Sequence, residues 1–215
     1  MDLMQPYLFE CYELDPGGLE YAIGHSAEYI NYASHIEPDR SDTSQVWERI
    51  AFAILTANCQ FKSSVAGLQY ARTCKGRVQG HVLTRVGGGM TQAKAGWLNS
   101  LPPMLELLKQ ARETWTDYRR RLARVRGLGI TKASFAACLL YPFEADICCL
   151  DVWMLRGLVE SVPRRLTQYE HIEERVRAYA RECDMPLFLM QWALWDWLRG
   201  SVTSHDIFTR GIDER

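Results

Sequence analysis

Apolar residues along the 215-residue chain recur at three- and four-residue intervals nearly throughout, the period of one buried helix face. The clearest stretch carries Val46, Ile50, Phe52, Ala53, Ile54 and Ala57 behind Ser41, Asp42, Thr43 and Ser44, a cluster of N-cap types. It predicts a helix that breaks near 58–61, with a second helix over 64–72. After the triple glycine Gly87, Gly88 and Gly89 the pattern gives a short helix over 91–98, then restarts past Pro102 and Pro103. A basic amphipathic helix is expected over 112–125, ending at Gly127, and an apolar one over 131–140, stopped by Pro142. Helices over 151–160, 167–183 and 186–200 complete the run. Strand-like alternation is scarce. Its best example, 144–152, equally suits a buried connection. The expectation is an all-α protein, one domain over 1–215, built as two helical lobes with a cleft between them.

Composition changes this picture little. Hydrophobic residues make up 47%, charged residues 24%, and the net charge is -1, so the overall field does not announce a nucleic-acid partner. Locally the balance differs: Arg119, Arg120, Arg121, Arg124 and Arg126 crowd the approach to Gly127, and Arg164 and Arg165 add to them. Such a patch binds phosphates even on a neutral protein, although a solvated helix face reads the same way. Seven scattered cysteines, an odd number without a CxxC pair, argue against a disulfide framework and against a zinc or iron–sulfur site. No metal and no cofactor is expected. The acidic N-terminus lacks the basic start of a secretory signal, and no apolar run approaches the roughly 20 residues that span a bilayer. A cytoplasmic, nucleoid-associated monomer without a membrane partner is the expectation.

Gly127 and Gly129 flank Leu128 just before the 131–140 helix. Backbone freedom there lets amides point outward at a helix N-terminus, where the dipole also favours an anion such as phosphate. A plain helix–helix corner with a glycine cap fits the same residues. Twenty residues after Thr131, Asp151 stands at the start of another helix. It could carry chemistry or simply cap that helix.

In this order the residues Val125, Gly127, Leu128, Gly129, Ala133, Asp151 and Arg156 resemble the hairpin and following acid of the helix-hairpin-helix (HhH-GPD) superfamily of DNA glycosylases. The stretch 47–67 is similar to that family's early helix, polar break and next helix, and 87–98 to its glycine-then-Lys-Ala helix. The likeness spans 46–160. It implies an enzyme that flips a damaged or modified base out of double-stranded DNA and hydrolyses the N-glycosidic bond. A branch directed at hypermodified, phage-type bases is one form of it. By this resemblance Asp151 is the catalytic carboxylate, and Arg126, Gly127, Gly129, Thr131 and Lys132 bind the DNA backbone. Asn58 and Gln60 probe the gap or the opposite strand. Gln191 and Trp195 share a helix face (i, i+4) and, with His205, are candidates for a base pocket. Trp192, Trp195 and Trp197 equally suit the core, and Asp206 beside His205 is a further site candidate.

The chain also departs from the family. The nucleophilic lysine of lyase-type members falls at Thr131, and Lys132 follows one residue later, about 100° further round a helix. This favours a monofunctional hydrolytic mechanism, with Lys132 kept as a candidate catalytic residue. The four-cysteine cluster of some members is missing, since only Cys183 follows Asp151. Two other functions stay open. One is an amino-acid or polyamine transferase acting on an activated 5-hydroxymethyl-pyrimidine in DNA, like the alpha-glutamyl or putrescinyl thymine pyrophosphorylases. The other is a non-catalytic helical DNA-binding module.

Overall fold

The structure, a computed structural model, describes residues 16–74, 77–158, 161–200 and Ser204. Among them are eleven α-helices and no strand: α1 (Pro16–Gly24), α2 (Ser26–Ile36), α3 (Thr43–Leu55), α4 (Phe61–Thr73), α5 (Gly80–Arg85), α6 (Thr91–Asn99), α7 (Trp115–Leu122), α8 (Ile130–Leu140), α9 (Val152–Gly157), α10 (Leu166–Glu182) and α11 (Leu187–Leu198). A 3-10 turn covers Met104–Leu107. The ambiguous segment 144–152 is a buried connection, with Ala145, Ile147, Cys148, Cys149 and Leu150 inside.

Helix α3 begins where the Asp42 carboxylate accepts the Ser44 amide at 2.8 Å, the capping that the cluster of polar residues predicts. From Ile50 to Leu55 it is buried on every side, packed on α4, α6 and α8. Helix α11 plays the same part for the two ends of the chain, against α1, α2, α9 and α10. The middle of the sequence therefore makes one lobe, and its two ends make the other. Aromatic rings join them. Phe52 meets Phe61 at 5.3 Å and Phe135 at 6.0 Å, and Trp192 of α11 closes on Phe135 at 5.6 Å and Phe61 at 6.0 Å.

The long basic helix expected over 112–125 is a shorter α7. Thr114 caps it by accepting the Asp117 amide at 3.1 Å, while Glu113 turns away to accept from Gln110 and from Arg121. Its arginines do not form one patch. Arg119 is wholly buried: Nη1 donates to Glu173 Oε1 at 2.7 Å, and the same oxygen accepts the Cys148 amide at 2.7 Å. Burial pushes the Glu173 carboxyl above its ordinary range, and the Arg119 charge pulls it back. Helix α4 starts at Phe61, three residues ahead of expectation, because the ring is needed in the aromatic joint.

The Arg119–Glu173 pair fixes α7, α10 and the connection leading to Asp151 against one another. Removing one partner leaves an uncompensated buried charge, so Glu173→Ala lowers the unfolding free energy by about 3–5 kcal/mol. A urea titration of the variant against the parent reads this as a lower midpoint.

Candidate active site

Gly127 has φ +92°, and a methyl added there would come 2.8 Å from the Trp97 ring. Only glycine fits that corner. Leu128 plugs into the core behind it, and Gly129, exposed and extended, caps α8. The first helical bond of α8 runs from the Ala133 amide to the Gly129 carbonyl at 2.8 Å. The amides of Ile130, Thr131 and Lys132 thus have no partner within the helix and open at its positive end. The corner is sterically required, and it also leaves donors free.

Asp151 caps α9 through Oδ1, which accepts the amides of Trp153 at 3.0 Å and Met154 at 3.1 Å. Oδ2 accepts the Trp195 indole N–H at 2.8 Å. Capping therefore uses one oxygen, and an aromatic side chain from the other end of the sequence orients the second. The carboxylate faces a cavity of about 770 Å³ between the lobes. Asn58, Gln60, Thr131, Lys132, Gln191 and Trp195 line it too, over a floor that includes Phe61, Phe135 and Trp192. Gln191 is only 4% exposed, and its Oε1 has no hydrogen-bond partner. An unsatisfied buried acceptor costs about 1–3 kcal/mol, a cost that a donor entering the cavity would remove. Burial pushes the Cys149 thiol on the same wall up to about 12, so it stays protonated and is a poor nucleophile.

Lys132, kept as a candidate although it lies about 100° further round the helix than Thr131, lines Asp151's cavity, and its long side chain donates from Nζ to Thr56 Oγ1 at 2.9 Å. Beneath it, buried Lys94 donates to the Leu55 carbonyl at 2.7 Å, and burial together with Lys132 lowers its pKa.

The remaining candidates divide. Arg126, Gly127 and Gly129 lie outside the cavity wall, with Arg126 and Gly129 exposed. His205 and Asp206 lie outside the described residues. Trp192 packs the core and donates to Ser204 Oγ at 2.6 Å, and Trp197 lies 5.7 Å from the Tyr21 ring. Asn58 is exposed with φ +47°, and its amide nitrogen meets the sulfur of Met90 at 3.3 Å. Met90 is itself left-handed at φ +54° and 47% exposed. A methyl on Gly89 would sit 2.6 Å from the Asn58 carbonyl, which explains that glycine. Sequence reasoning passed over Thr56, Met90, Trp153 and Arg199. A lone apolar residue after three glycines was the only hint of Met90.

Gly127→Ala is expected to lower stability by about 1–3 kcal/mol, from the left-handed backbone and the Trp97 clash. Thermal unfolding monitored by circular dichroism measures it.

No family model matches the chain, and no curated protein sequence does. Two solved structures are similar. The 8-oxoguanine DNA glycosylase of Thermotoga maritima superposes with a TM-score of 0.71 at 17% identity, covering 86% of this chain and 95% of its own. The 8-oxoguanine glycosylase/lyase of Methanocaldococcus jannaschii, solved with a 15mer DNA containing 8-oxoguanine, gives 0.72 at 16% identity, over 86% and 96%. At such identities the likeness establishes the fold, the helical glycosylase architecture that the hairpin and Asp151 resemble in sequence.

Proposed function

We propose that the chain is a DNA glycosylase that turns a damaged or modified base out of double-stranded DNA and hydrolyses its N-glycosidic bond. The observation that carries the reading is the Asp151 carboxylate, oriented by Trp195 beside a cavity that is also lined by Gln191, whose side-chain oxygen has no hydrogen-bond partner. An everted base would lie among the aromatic residues of that cavity and donate an N–H to Gln191 Oε1. Its sugar would then face Asp151. As the bond to the base breaks, positive charge grows on the sugar, and a carboxylate fixed beside it lowers the barrier without having to reorient. The same group can take the proton of an attacking water. At the start of α8, the amides of Ile130, Thr131 and Lys132, with the exposed Arg126, would hold phosphates without reading sequence. Asn58, on a loop at the rim, suits the gap left in the duplex.

A cavity of about 770 Å³ is ample for a base, with or without an added substituent. One observation favours a second reading, base release followed by strand scission: the Lys132 amine opens on the same cavity as Asp151. Borohydride separates the two. A trapped protein–DNA adduct lost in Lys132→Ala would establish a Schiff base, and no adduct is expected if water is the nucleophile.

The direct assay incubates the protein with duplexes carrying different modified bases and counts abasic sites. Asp151→Asn should lower base release by about 10²–10⁴-fold while duplex affinity stays within a few-fold of the parent. Base release from none of the duplexes, together with no effect of the substitution, overturns the reading. Gln191→Leu, which removes the acceptor and keeps the volume, is expected to raise KM for the preferred base more than it lowers kcat.

A further inference from the structure

Some arginines of this protein are neutralised: Arg72, Arg119, Arg121 and Arg177 each lie against a carboxylate. Arg156 and Arg199 are among those that are not. Among the described residues no carboxylate lies within ion-pairing distance of either, and what they touch is aromatic. The Arg199 guanidinium stacks 4.5 Å from the Trp195 ring and 5.8 Å from the Trp153 ring, and Arg156 lies 5.5 Å from Trp153 on its own helix. Trp153 is 39% exposed, an unusual place for so large an apolar ring unless something covers it. Trp153 and Arg199 both form part of the cavity wall, beside exposed Val152 and Val162.

From Asp151 the contacts run in series: to Trp195, from Trp195 to Arg199, from Arg199 to Trp153, and from Trp153 to Arg156. Asp151 stands at one end of the series and two cations without carboxylate partners at the other, while Thr131 and Lys132 at the start of α8 line the same cavity. Ring faces hold those cations without neutralising them, which is how a guanidinium is pre-ordered for an incoming anion. A nucleotide drawn out of a duplex has a phosphate on either side, and both must be held apart for it to stay out. The corner at α8 serves one of them.

We infer that Arg156 and Arg199, held in place by the ring of Trp153, form a second clamp for the DNA sugar–phosphate backbone, on the side of the cavity that Trp153 lines. The inference rests on the glycosylase reading for the position of the DNA, but it assigns these residues a site of their own. Guanidinium–phosphate pairing is its chemistry, and Trp153 acts as a positioning residue.

The test measures affinity by fluorescence anisotropy for a short duplex carrying a tetrahydrofuran abasic-site analogue, over a range of salt concentrations. The double substitution Arg156→Ala, Arg199→Ala is expected to weaken binding at least tenfold and to flatten the slope of log affinity against log salt by about two, one per phosphate contact. Arg181→Ala, the loss of a surface charge on α10, should leave the slope unchanged. Trp153→Ala removes no charge, yet it should weaken binding several-fold, with recovery in Trp153→Phe. An unchanged slope in the double variant, an equal change in Arg181→Ala, or no rescue by phenylalanine overturns the clamp. Base release by a double variant with parental salt dependence would sink the clamp alone and leave the glycosylase reading standing. Normal arginine dependence without base release from any duplex would do the reverse.

Discussion

The hydrogen bond from the Trp195 indole to Asp151 is the contact on which the site depends. Two backbone amides already hold the other carboxylate oxygen, and they would do so in any helix that starts with aspartate. The indole makes the difference, because it comes from α11 and carries the packing of that helix with it. Helix α11 lies against α1, α2, α9 and α10, so the direction of one acid is set by both ends of the chain. Gly157 shows how closely α9 and α11 are seated: a methyl there would fall 2.3 Å from the Leu198 side chain.

A second constraint works from the middle of the sequence. Helices α3 and α8 are too apolar to tolerate water, and the rings of Phe52, Phe61, Phe135 and Trp192 seal the seam between the lobes directly under the cavity. The cavity is therefore polar only at its edges. Lys132, Asp151, Gln191 and Asn58 enter from four different parts of the chain, and each stands on an element whose own packing is already satisfied. Such an arrangement holds these groups in fixed positions, so that whatever enters the cavity meets donors and acceptors that need no rearrangement.

Much of this was legible in the residues alone. The period of α3, the caps around Asp42, the apolar α8 and the glycine corner are local properties, and local patterns carry them. Asp151 stood out as a candidate by its distance from Thr131 and by the family resemblance, and Gln191 by its spacing from Trp195 on one helix. What escaped was tertiary. The run of arginines before Gly127 looked like one basic face, but Arg119 turns inward to a glutamate 54 residues away. Lys132 pairs with Thr56, 76 residues earlier, and nothing local marks that contact. The stack of Trp153 and Arg199 joins residues 46 positions apart, and nothing in either local stretch marks the other. Helices α1 and α2 carried no pattern strong enough to name before they were seen.

The loops bearing Asn58 and Met90 approach closely through backbone, since a methyl on Gly89 would sit 2.6 Å from the Asn58 carbonyl. Asn58 and Met90 also touch through their side chains, and both adopt left-handed backbone. Exchange of the asparagine or the methionine would therefore alter the rim's chemistry and bear on its shape as well. A lineage could vary that rim only with residues that accept such backbone, while the chamber behind it stays as it is.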